Sequence, residues 1–354
     1  MSEHLHPQPH SGSHPAKIDR RTFLVRSALA GATVTGALAV GWRLRHLPEK
    51  IYWNEGAFAP PGDVRVAVLS APTYDSGLEQ LVFEGLREVG ADVRGARVLL
   101  KPNLVEFDAG TAVNTDPRLI AATIAAFRRL GAASVTVGEG PGHRRDTRYL
   151  VEASGLGDVV RDAGVPFVDL NTDTVDRVAL SSWYTDLREI WLPRSITQAD
   201  VVVSMPKMKT HHWVGLTLSL KNCFGCLPGR VYGWPKNALH WAGVEGSILD
   251  VAGAVRPDLA IVDGIVGMEG NGPINGVPKP VGLLVIGNDP VATDIVTAGL
   301  MGIDAAKIPY LTEASRYLGQ GDLERIVQVG EDPSREVTPF APAPGFGTVG
   351  SESA

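Results

Sequence analysis

A run of β-branched residues leads into a polar segment in the sequence VVVSMPKMKTHH, residues 201–212. Short apolar runs of this kind, followed by a proline, are typical of strands buried in a sheet, so Val201–Ser204 is predicted to be a strand. The same pattern recurs on both sides of it along the chain. The further predicted strands are Val64–Leu69, Arg97–Leu100, Ser134–Val137, Leu259–Val262 and Val281–Ile286.

Stretches of helical period separate these runs. The clearest is Pro117–Leu130, because Asn114-Thr115-Asp116 provides a cap signal, Pro117 suits a first helical position and Gly131 ends the segment. Other helices are predicted at Leu78–Val89, Val214–Leu220, Val244–Val255 and Val291–Met301. Strands alternating with helices predict an α/β fold with a mostly parallel sheet flanked by helices, and leave open whether it forms one unit or two lobes.

Composition limits the function classes. The chain has 354 residues, 44% of them hydrophobic, which is enough for a large core. Charged residues make up 20% and the formal net charge is −6, with no basic stripe to follow a phosphate backbone, so we expect no nucleic-acid partner. Two cysteines cannot build a disulfide scaffold.

The first 45 residues differ from the rest. Arg20-Arg21 precedes an apolar run over Ser27–Trp42, which is shorter than the ~20 residues that a membrane span needs. This order resembles a twin-arginine signal, with the twin-arginine translocase as export partner. The expected location is the periplasmic or cell-surface side of the cytoplasmic membrane, with a membrane anchor if the signal is not cleaved. The remaining divisions are a linker at 46–63, the α/β domain at 64–332 and a flexible tail at 333–354.

Polar residues follow the predicted strands at their carboxyl ends, where open α/β sheets bind ligands. Because these ends meet at one edge, we predict a single pocket that suits a small anionic ligand or a metal-assisted proton transfer. Its cationic groups are Lys101, Lys207, Lys209 and Lys221, and its acidic groups are Glu139, Asp263 and Asp289. Each group taken alone also fits a solvated surface or a turn.

Roles follow from side-chain chemistry. The lysines are candidate anion clamps, and Lys221 is also a candidate catalytic group. His143 and His211 or His212 are candidate acid–base groups or metal ligands, since neutral imidazole serves both purposes. Glu139 and Asp263 are candidate orienting or metal-binding carboxylates. Further candidate ligand contacts are Asn103, Asp116, Arg144, Asn222 and Asn271. A divalent metal is compatible with this inventory, and the cofactor stays unknown.

Two further motifs each allow more than one interpretation. Cys223 and Cys226 form a C-x-x-C, which fits a disulfide, a redox pair or half of a metal site; without a second C-x-x-C, a four-thiolate iron–sulfur or zinc site in this chain alone is excluded. Buried structural cysteines are favoured. The glycine-rich stretch Met268–Pro273 is predicted to be a loop that closes over the pocket or contacts phosphate.

The chain resembles the family called domain of unknown function 362 from about Val64 to Gly330. The motifs that carry the resemblance are Lys101-Pro102-Asn103, Asn114-Thr115-Asp116-Pro117, Gly138-Glu139-Gly140, Pro206-Lys207-Met208-Lys209-Thr210-His211, Leu220-Lys221-Asn222 with Gly225, and Asp263-Gly264 through Gly270-Asn271-Gly272-Pro273. Family members are often joined to ferredoxin-like modules, which implies a redox partner with an iron–sulfur cluster. This chain lacks the ferredoxin cysteines, so we expect no cluster of its own.

A second resemblance is to the catalytic domain of nickel-pincer lactate racemases. It depends on Gly142-His143-Arg144, and on His211 or His212 together with Lys221 and Pro228-Gly229. It implies proton transfer by one histidine and metal binding by another, although the spacing after His212 departs from the racemase pattern. The sequence therefore predicts an exported enzyme acting on a small anionic substrate. The alternatives are a redox accessory with a separate iron–sulfur partner and a non-catalytic solute-binding protein.

Overall fold

The β-branched runs form the centre of a ten-stranded sheet. The computed structural model describes residues 51–58, 62–75, 77–142, 146–234, 236–344 and 346. The strands are β1 (Arg65–Ser70), β2 (Arg97–Pro102), β3 (Ser134–Glu139), β4 (Phe167–Asp169), β5 (Val175–Ala179), β6 (Glu189–Pro193), β7 (Val201–Met205), β8 (Lys207–His211), β9 (Gly215–Thr217), β10 (Leu259–Asn271), β11 (Asn275–Gly287) and β12 (Val327–Gly330). From Tyr52 onward the chain forms one compact unit.

The strand order is β12-β1-β11-β10-β7-β2-β3-β4, with β8 paired to β10 and β9 paired to β8. Strand β11 runs antiparallel to both of its neighbours and β9 runs antiparallel to β8, whereas the other pairs in this sheet are parallel. Strands β5 and β6 form a separate antiparallel pair. The predicted α/β class with a mostly parallel sheet is confirmed.

Helices cover both faces of the sheet. They are Leu78–Glu88, Pro117–Arg129, Thr147–Ala153, Leu156–Ala163, Arg194–Thr197, Ser219–Asn222, Gly229–Tyr232, Asn237–Trp241, Val244–Val255, Pro290–Leu300 and Pro309–Ala314. The predicted cap of the second helix is confirmed, because the Asp116 carboxylate accepts from the Arg118 backbone N–H. Within the described ranges, no helix is both long enough and apolar enough to cross a membrane.

The core has two layers, one on each face of the sheet. Successive strand residues point to opposite faces, so Val66 packs in one layer and Ala67 in the other. Leu86 and Phe127 belong to the same layer as Ala67, whereas Ile248 packs with Val66. The helices on the two faces therefore hold the strand ends in fixed relative positions.

Two predicted elements are wrong. Residues 214–220 were expected to form one helix, but Gly215–Thr217 is strand β9, and the helix begins only at Ser219. Pairing with β8 overrides the helical spacing of the apolar residues, and Thr217 and Lys221 therefore do not share a helix face. The stretch 268–271 was expected in a loop, but it continues β10, because it pairs with the start of β11 from Asn275 to Pro278.

Part of the predicted flexible tail packs on the compact unit. Phe340 and Ala343 are buried, and the Ala341 backbone N–H donates to the Glu269 carboxylate at 2.8 Å. The predicted export signal lies outside the described residues.

Candidate functional site

A cavity of about 520 Å³ lies at the carboxyl ends of β2 and β3, between the β8–β9 hairpin and the tip of the β10–β11 hairpin. We call it the lysine cavity. Nine of the predicted site residues line it: Lys101, Asn103, Glu139, Lys209, His211, His212, Lys221, Asn222 and Asn271. The prediction that loops distant in sequence meet over one edge of the sheet therefore agrees with the structure for these residues.

Other predicted residues lie elsewhere. Lys207 and Asp116 line a different cavity of about 390 Å³, and Asp263 binds Lys207. Asp289 was expected with the other carboxylates, but it follows the antiparallel strand β11 and so caps a helix at the opposite edge of the sheet. His143 and Arg144 lie outside the described residues.

Lys101 and Glu139 form a buried ion pair at the floor of the lysine cavity. The Lys101 ammonium donates to Glu139 Oε2 at 2.6 Å, to the Pro102 carbonyl at 2.8 Å and to Asn222 Oδ1 at 2.9 Å. The Glu139 carboxylate also accepts from the backbone N–H groups of Leu104 and Gly140. All three ammonium protons have acceptors, so this pair fixes two strand ends to the segment after β9.

The lack of a side chain at Gly225 leaves room for the ion pair of Lys101 and Glu139. A Cβ atom at this position would overlap the Lys101 ammonium and the Glu139 carboxylate. The glycine in the C-x-x-C motif is therefore required by the close approach of the backbone to a buried ion pair.

Asp294 positions the short helix that carries Lys221 and Asn222. Its buried carboxylate accepts from the backbone N–H groups of Ser219 at 2.7 Å and Leu220 at 3.0 Å, which are the first donors of that helix. Burial raises the pKa of Asp294 to about 7, and these hydrogen bonds act in the opposite direction. The helix end is thus tied to the helix Pro290–Leu300.

Lys236 also lies in the wall of the lysine cavity. It adopts a left-handed backbone conformation, with φ of 66°, and its ammonium donates to the carbonyls of Gly140, Phe224 and Gly225 at 2.6, 3.1 and 3.4 Å. Burial, the largest cause, lowers the pKa of Lys236 to about 7. Its three acceptors hold the loop after β3 against the segment at Phe224.

Lys209 and Lys221 have fewer partners. The Lys209 side chain is fully buried, and the acceptor of its ammonium is the Val113 carbonyl at 2.7 Å. Lys221 Nζ lies 4.5 Å from the centroid of the Phe224 ring and has no hydrogen-bond acceptor within the described part of the chain. Burial lowers the pKa of Lys209 well below its usual value, and burial together with nearby Lys101 lowers the pKa of Lys221 to about 8.

Three histidines lie along one wall, and the rings of His211 and His212 stack on each other. His211 Nδ1 accepts from the Trp213 backbone N–H at 3.1 Å, so its neutral form carries the proton on Nε2. In contrast, Nδ1 of His212 lies 2.7 Å from the Gly272 carbonyl and Nδ1 of His240 lies 3.1 Å from the Lys236 carbonyl. A carbonyl only accepts, so the neutral form of each of these two rings carries its proton on Nδ1 and has its lone pair on Nε2.

Burial and the neighbouring cations keep two of these rings neutral. Burial, followed by Lys221, lowers the pKa of His211 to about 2, and burial lowers the pKa of His240. The wall thus presents one imidazole N–H donor and two imidazole lone pairs. Neutral imidazoles of both kinds are suited to proton transfer.

Two buried side-chain oxygens in the lining lack partners. Asn103 Oδ1 and Thr217 Oγ1 have no hydrogen-bond partner within the described residues, although Asn103 is 7% exposed and Thr217 4% exposed. Leaving a buried polar atom unsatisfied costs about 1–3 kcal/mol. Both residues line the lysine cavity, where a ligand acceptor would satisfy the Thr217 hydroxyl and a ligand donor would satisfy Asn103 Oδ1.

Aromatic side chains form the rim. Trp213 is 57% exposed and Trp241 is 83% exposed, and both line the lysine cavity. Exposed tryptophans at the mouth of a polar cavity provide apolar contact area for a ligand. The cavity therefore combines a cationic floor with an apolar entrance.

The second cavity has a different character. We call its residues Tyr74, Lys207 and Asp263 the Tyr74 cluster. The Lys207 ammonium donates to Asp263 Oδ2 at 2.6 Å and to the Tyr74 hydroxyl at 3.0 Å, and that hydroxyl donates to Asp263 Oδ1 at 2.6 Å. Burial and the adjacent carboxylate raise the pKa of Tyr74, so it stays protonated. The positive charge of Lys207 is therefore balanced by the negative charge of Asp263.

Sequence reasoning missed several lining residues, four of which have polar or aromatic side chains in the walls and rim. Lys236, His240, Trp213 and Trp241 line the lysine cavity, but Lys236, His240 and Trp241 do not follow a strand. The available signal was the unusual density of Trp, Lys and His between Gly233 and Gly243.

The fit to a metal ion is poor in the described ranges, where no group of three or more His, Cys, Asp or Glu side chains is arranged to hold one. Glu139 and Asp263, predicted as candidate metal ligands, are instead separated and each paired with a lysine. Both carboxylates already accept several hydrogen bonds, which leaves them poorly suited to coordination.

Cys223 and Cys226 are free and buried. Burial raises the pKa of both thiols, to about 12 for Cys226, which keeps them protonated. Buried, protonated thiols behave as small apolar groups, in agreement with the preferred interpretation of this motif.

The family follows from a comparison with known proteins. The model of the family described as "Domain of unknown function (DUF362)" matches residues 98–299, which include all the described residues lining the lysine cavity. The chain belongs to the DUF362 family. A thylakoid-associated protein of Synechocystis sp. is 33% identical over 259 residues, covering 71% of this chain and 78% of that protein.

Two solved structures are more distant. The lactate racemase apoprotein of Thermoanaerobacterium thermosaccharolyticum is 13% identical with a TM-score of 0.40, covering 62% of this chain and 54% of the racemase. A Thermotoga maritima protein is 14% identical with a TM-score of 0.33, covering 59% of this chain and 55% of its own. The DUF362 chain thus spans about half the length of each structure.

Proposed function

We propose that this DUF362 protein is an enzyme that binds a small carboxylate in the lysine cavity and transfers a proton to or from it. The observation that carries the proposal is charge imbalance. Four lysines line the cavity, namely Lys101, Lys209, Lys221 and Lys236, against the single carboxylate of Glu139 among the described lining residues. Glu139 is already paired with Lys101, so the other cations lack a countercharge.

An anion would remove an electrostatic penalty. Burial, and after it the neighbouring cations, disfavour the ammonium form, as the lowered pKa values of Lys209, Lys221 and Lys236 indicate. A bound carboxylate reverses this effect, and Thr217 Oγ1 supplies a further donor to it. The cavity is therefore suited to an anion of a few heavy atoms.

The histidine wall supports the proton-transfer step. The Nε2 lone pairs of His212 and His240 can accept a proton from carbon, and the Nε2 proton of neutral His211 can be donated. Each tautomer is fixed by a backbone contact, so both functions are present in the same protonation state of the protein.

The test compares charged ligands with neutral isosteres. Calorimetric titration with pyruvate and lactate should show binding, whereas pyruvamide and lactamide should bind at least about tenfold more weakly, a difference of about 1.4 kcal/mol. Proton transfer is then followed by NMR as deuterium incorporation in D₂O, at C2 of lactate and at C3 of pyruvate. Equal binding of the neutral amides would contradict the proposal, and binding without exchange would favour a solute-binding protein. Lys307→Met, at an exposed lysine in a different cavity, is the matched control.

We also propose that the chain is exported through the twin-arginine pathway. The support is the order of Arg20-Arg21, the apolar run and the small residues Ala37-Leu38-Ala39. Fusing residues 1–45 to a reporter that is active only after export in folded form should give export, and replacing both arginines by lysine should abolish it. Unchanged export of the double variant would reject this pathway.

A further inference from the structure

The lysines of the cavity differ in how many acceptors surround them. An ammonium group has three N–H bonds to satisfy. Lys101 and Lys236 each have three acceptor contacts, whereas Lys209 has one and Lys221 has none within the described part of the chain. Lys101 and Lys236 therefore hold the cavity together, and Lys221 is left without a structural task.

Lys221 is also placed where a ligand can reach it. It is partly buried rather than fully buried, in contrast to Lys209, and its Nζ rests against the Phe224 ring. Its backbone is fixed by the Asp294 contacts at the start of its helix. An amine held in an apolar surrounding beside another cation, here Lys101, is the arrangement that activates lysine as a nucleophile.

We propose that the side-chain amine of Lys221 forms an imine with the carbonyl carbon of a 2-oxo acid bound in the lysine cavity. This inference rests on the proposed function and names its substrate class. The carboxylate of such a ligand supplies the missing countercharge, and its carbonyl supplies the electrophile. The unpartnered Thr217 hydroxyl and the Lys209 amine lie on directly paired positions of β9 and β8, and both can donate to that carboxylate.

The step balances without a further reactant. The neutral Lys221 amine adds to the carbonyl carbon, and the carbonyl oxygen takes a proton to give a carbinolamine. The amine then loses its second proton to this hydroxyl, which leaves as water, and a C=N bond remains. The imine withdraws electrons from the adjacent carbon, whose proton passes to Nε2 of His212 or His240.

The experiment traps the imine by reduction. The full chain is incubated with pyruvate near pH 8 and reduced with sodium borohydride, followed by intact mass measurement and peptide mapping. We expect one reduced pyruvate adduct per chain, located on Lys221. Adduct formation should be lost in Lys221→Met and unchanged in Lys307→Met.

Peptide mapping of the unaltered protein keeps the test independent of how well a variant folds. An adduct on another lysine, or adducts spread over surface lysines, overturns the inference. Calorimetric binding of pyruvate without any adduct overturns the imine step but leaves the proposed function intact. Absence of both binding and adduct, for pyruvate and lactate alike, overturns the proposed function as well.

A second variant separates positioning from chemistry. Thr217→Val keeps the shape of the side chain but removes the unpartnered hydroxyl. We expect the pyruvate concentration for half-maximal labelling to rise severalfold, with labelling still on Lys221 and still complete at saturation. If Thr217→Val needs the same pyruvate concentration for half-maximal labelling as the unaltered protein, Thr217 does not bind the ligand carboxylate.

Discussion

The Tyr74 cluster and the lysine cavity contain the same kinds of side chain but balance their charges differently. In the Tyr74 cluster one ammonium, one carboxylate and one hydroxyl are hydrogen-bonded to one another, and the two opposite charges balance. In the lysine cavity one ion pair is complete, and Lys209, Lys221, Asn103 Oδ1 and Thr217 Oγ1 keep unused hydrogen-bonding capacity within the described residues. A balanced network is a structural element, whereas an unbalanced one identifies the place for a ligand.

Two lysines of one strand allow a direct test, since Lys207 and Lys209 lie two residues apart on β8. Lys207→Met leaves the Asp263 carboxylate buried without its cation. We expect a loss of about 3–5 kcal/mol in the free energy of unfolding, measured by urea denaturation. The double variant Lys207→Met/Asp263→Asn should recover part of this loss. A loss below about 1 kcal/mol would show that the cluster is not a stabilising element.

Lys209→Met is the corresponding substitution in the lysine cavity. It removes a buried amine whose acceptor is the Val113 carbonyl, so we expect a change of less than about 1.5 kcal/mol in unfolding free energy. Pyruvate affinity should fall about tenfold, which corresponds to about 1.4 kcal/mol. Calorimetry and urea denaturation of the same preparation check both values. Destabilisation as large as that of Lys207→Met would contradict the division between the two regions.

The pH dependence sharpens the comparison further, because the pKa of Lys221 is lowered to about 8 in the folded chain. The folded state therefore binds fewer protons than the unfolded state between pH 8 and the ordinary lysine pKa, and this group makes the ligand-free protein more stable as pH rises through that window. A bound carboxylate favours the ammonium form, so the affinity for lactate, which has no ketone carbonyl group and cannot form the imine, should fall over the same range. In Lys221→Met, both the stability and the ligand affinity should depend less on pH over this range. An affinity for lactate that rises with pH would contradict the role of Lys221 as a countercharge.

The smallest effect is expected at the rim. Trp241 is 83% exposed, so Trp241→Ala should change the free energy of unfolding by less than about 0.5 kcal/mol. Pyruvate is too small to use much of the rim, and its affinity should change less than threefold. The affinity for a ligand with an apolar extension should fall by a larger factor. Calorimetry with pyruvate and phenylpyruvate compares the two directly.

The sequence predicted the strand runs and nine of the cavity residues because strand ends carry recognisable polar residues next to glycine or proline. The sequence analysis placed Asp289 at the wrong end of the strands, because the residues of β11 do not show that this strand runs antiparallel to its neighbours. It also made residues 214–220 a helix, because short apolar runs fit either period until a neighbouring strand pairs with them. Lys236 and His240 were missed because their segment reaches the cavity through tertiary packing.

Residue types and their order along the chain determined the α/β class, the family and the supply of lysine and imidazole groups. Tertiary structure alone decided which lysine faces which carboxylate. Lys101 and Lys207 look alike in sequence, as do Glu139 and Asp263, yet they form two separate pairs. The physical reason is that a buried charge is governed by the atoms within a few ångströms of it, and those atoms come from segments far apart along the chain.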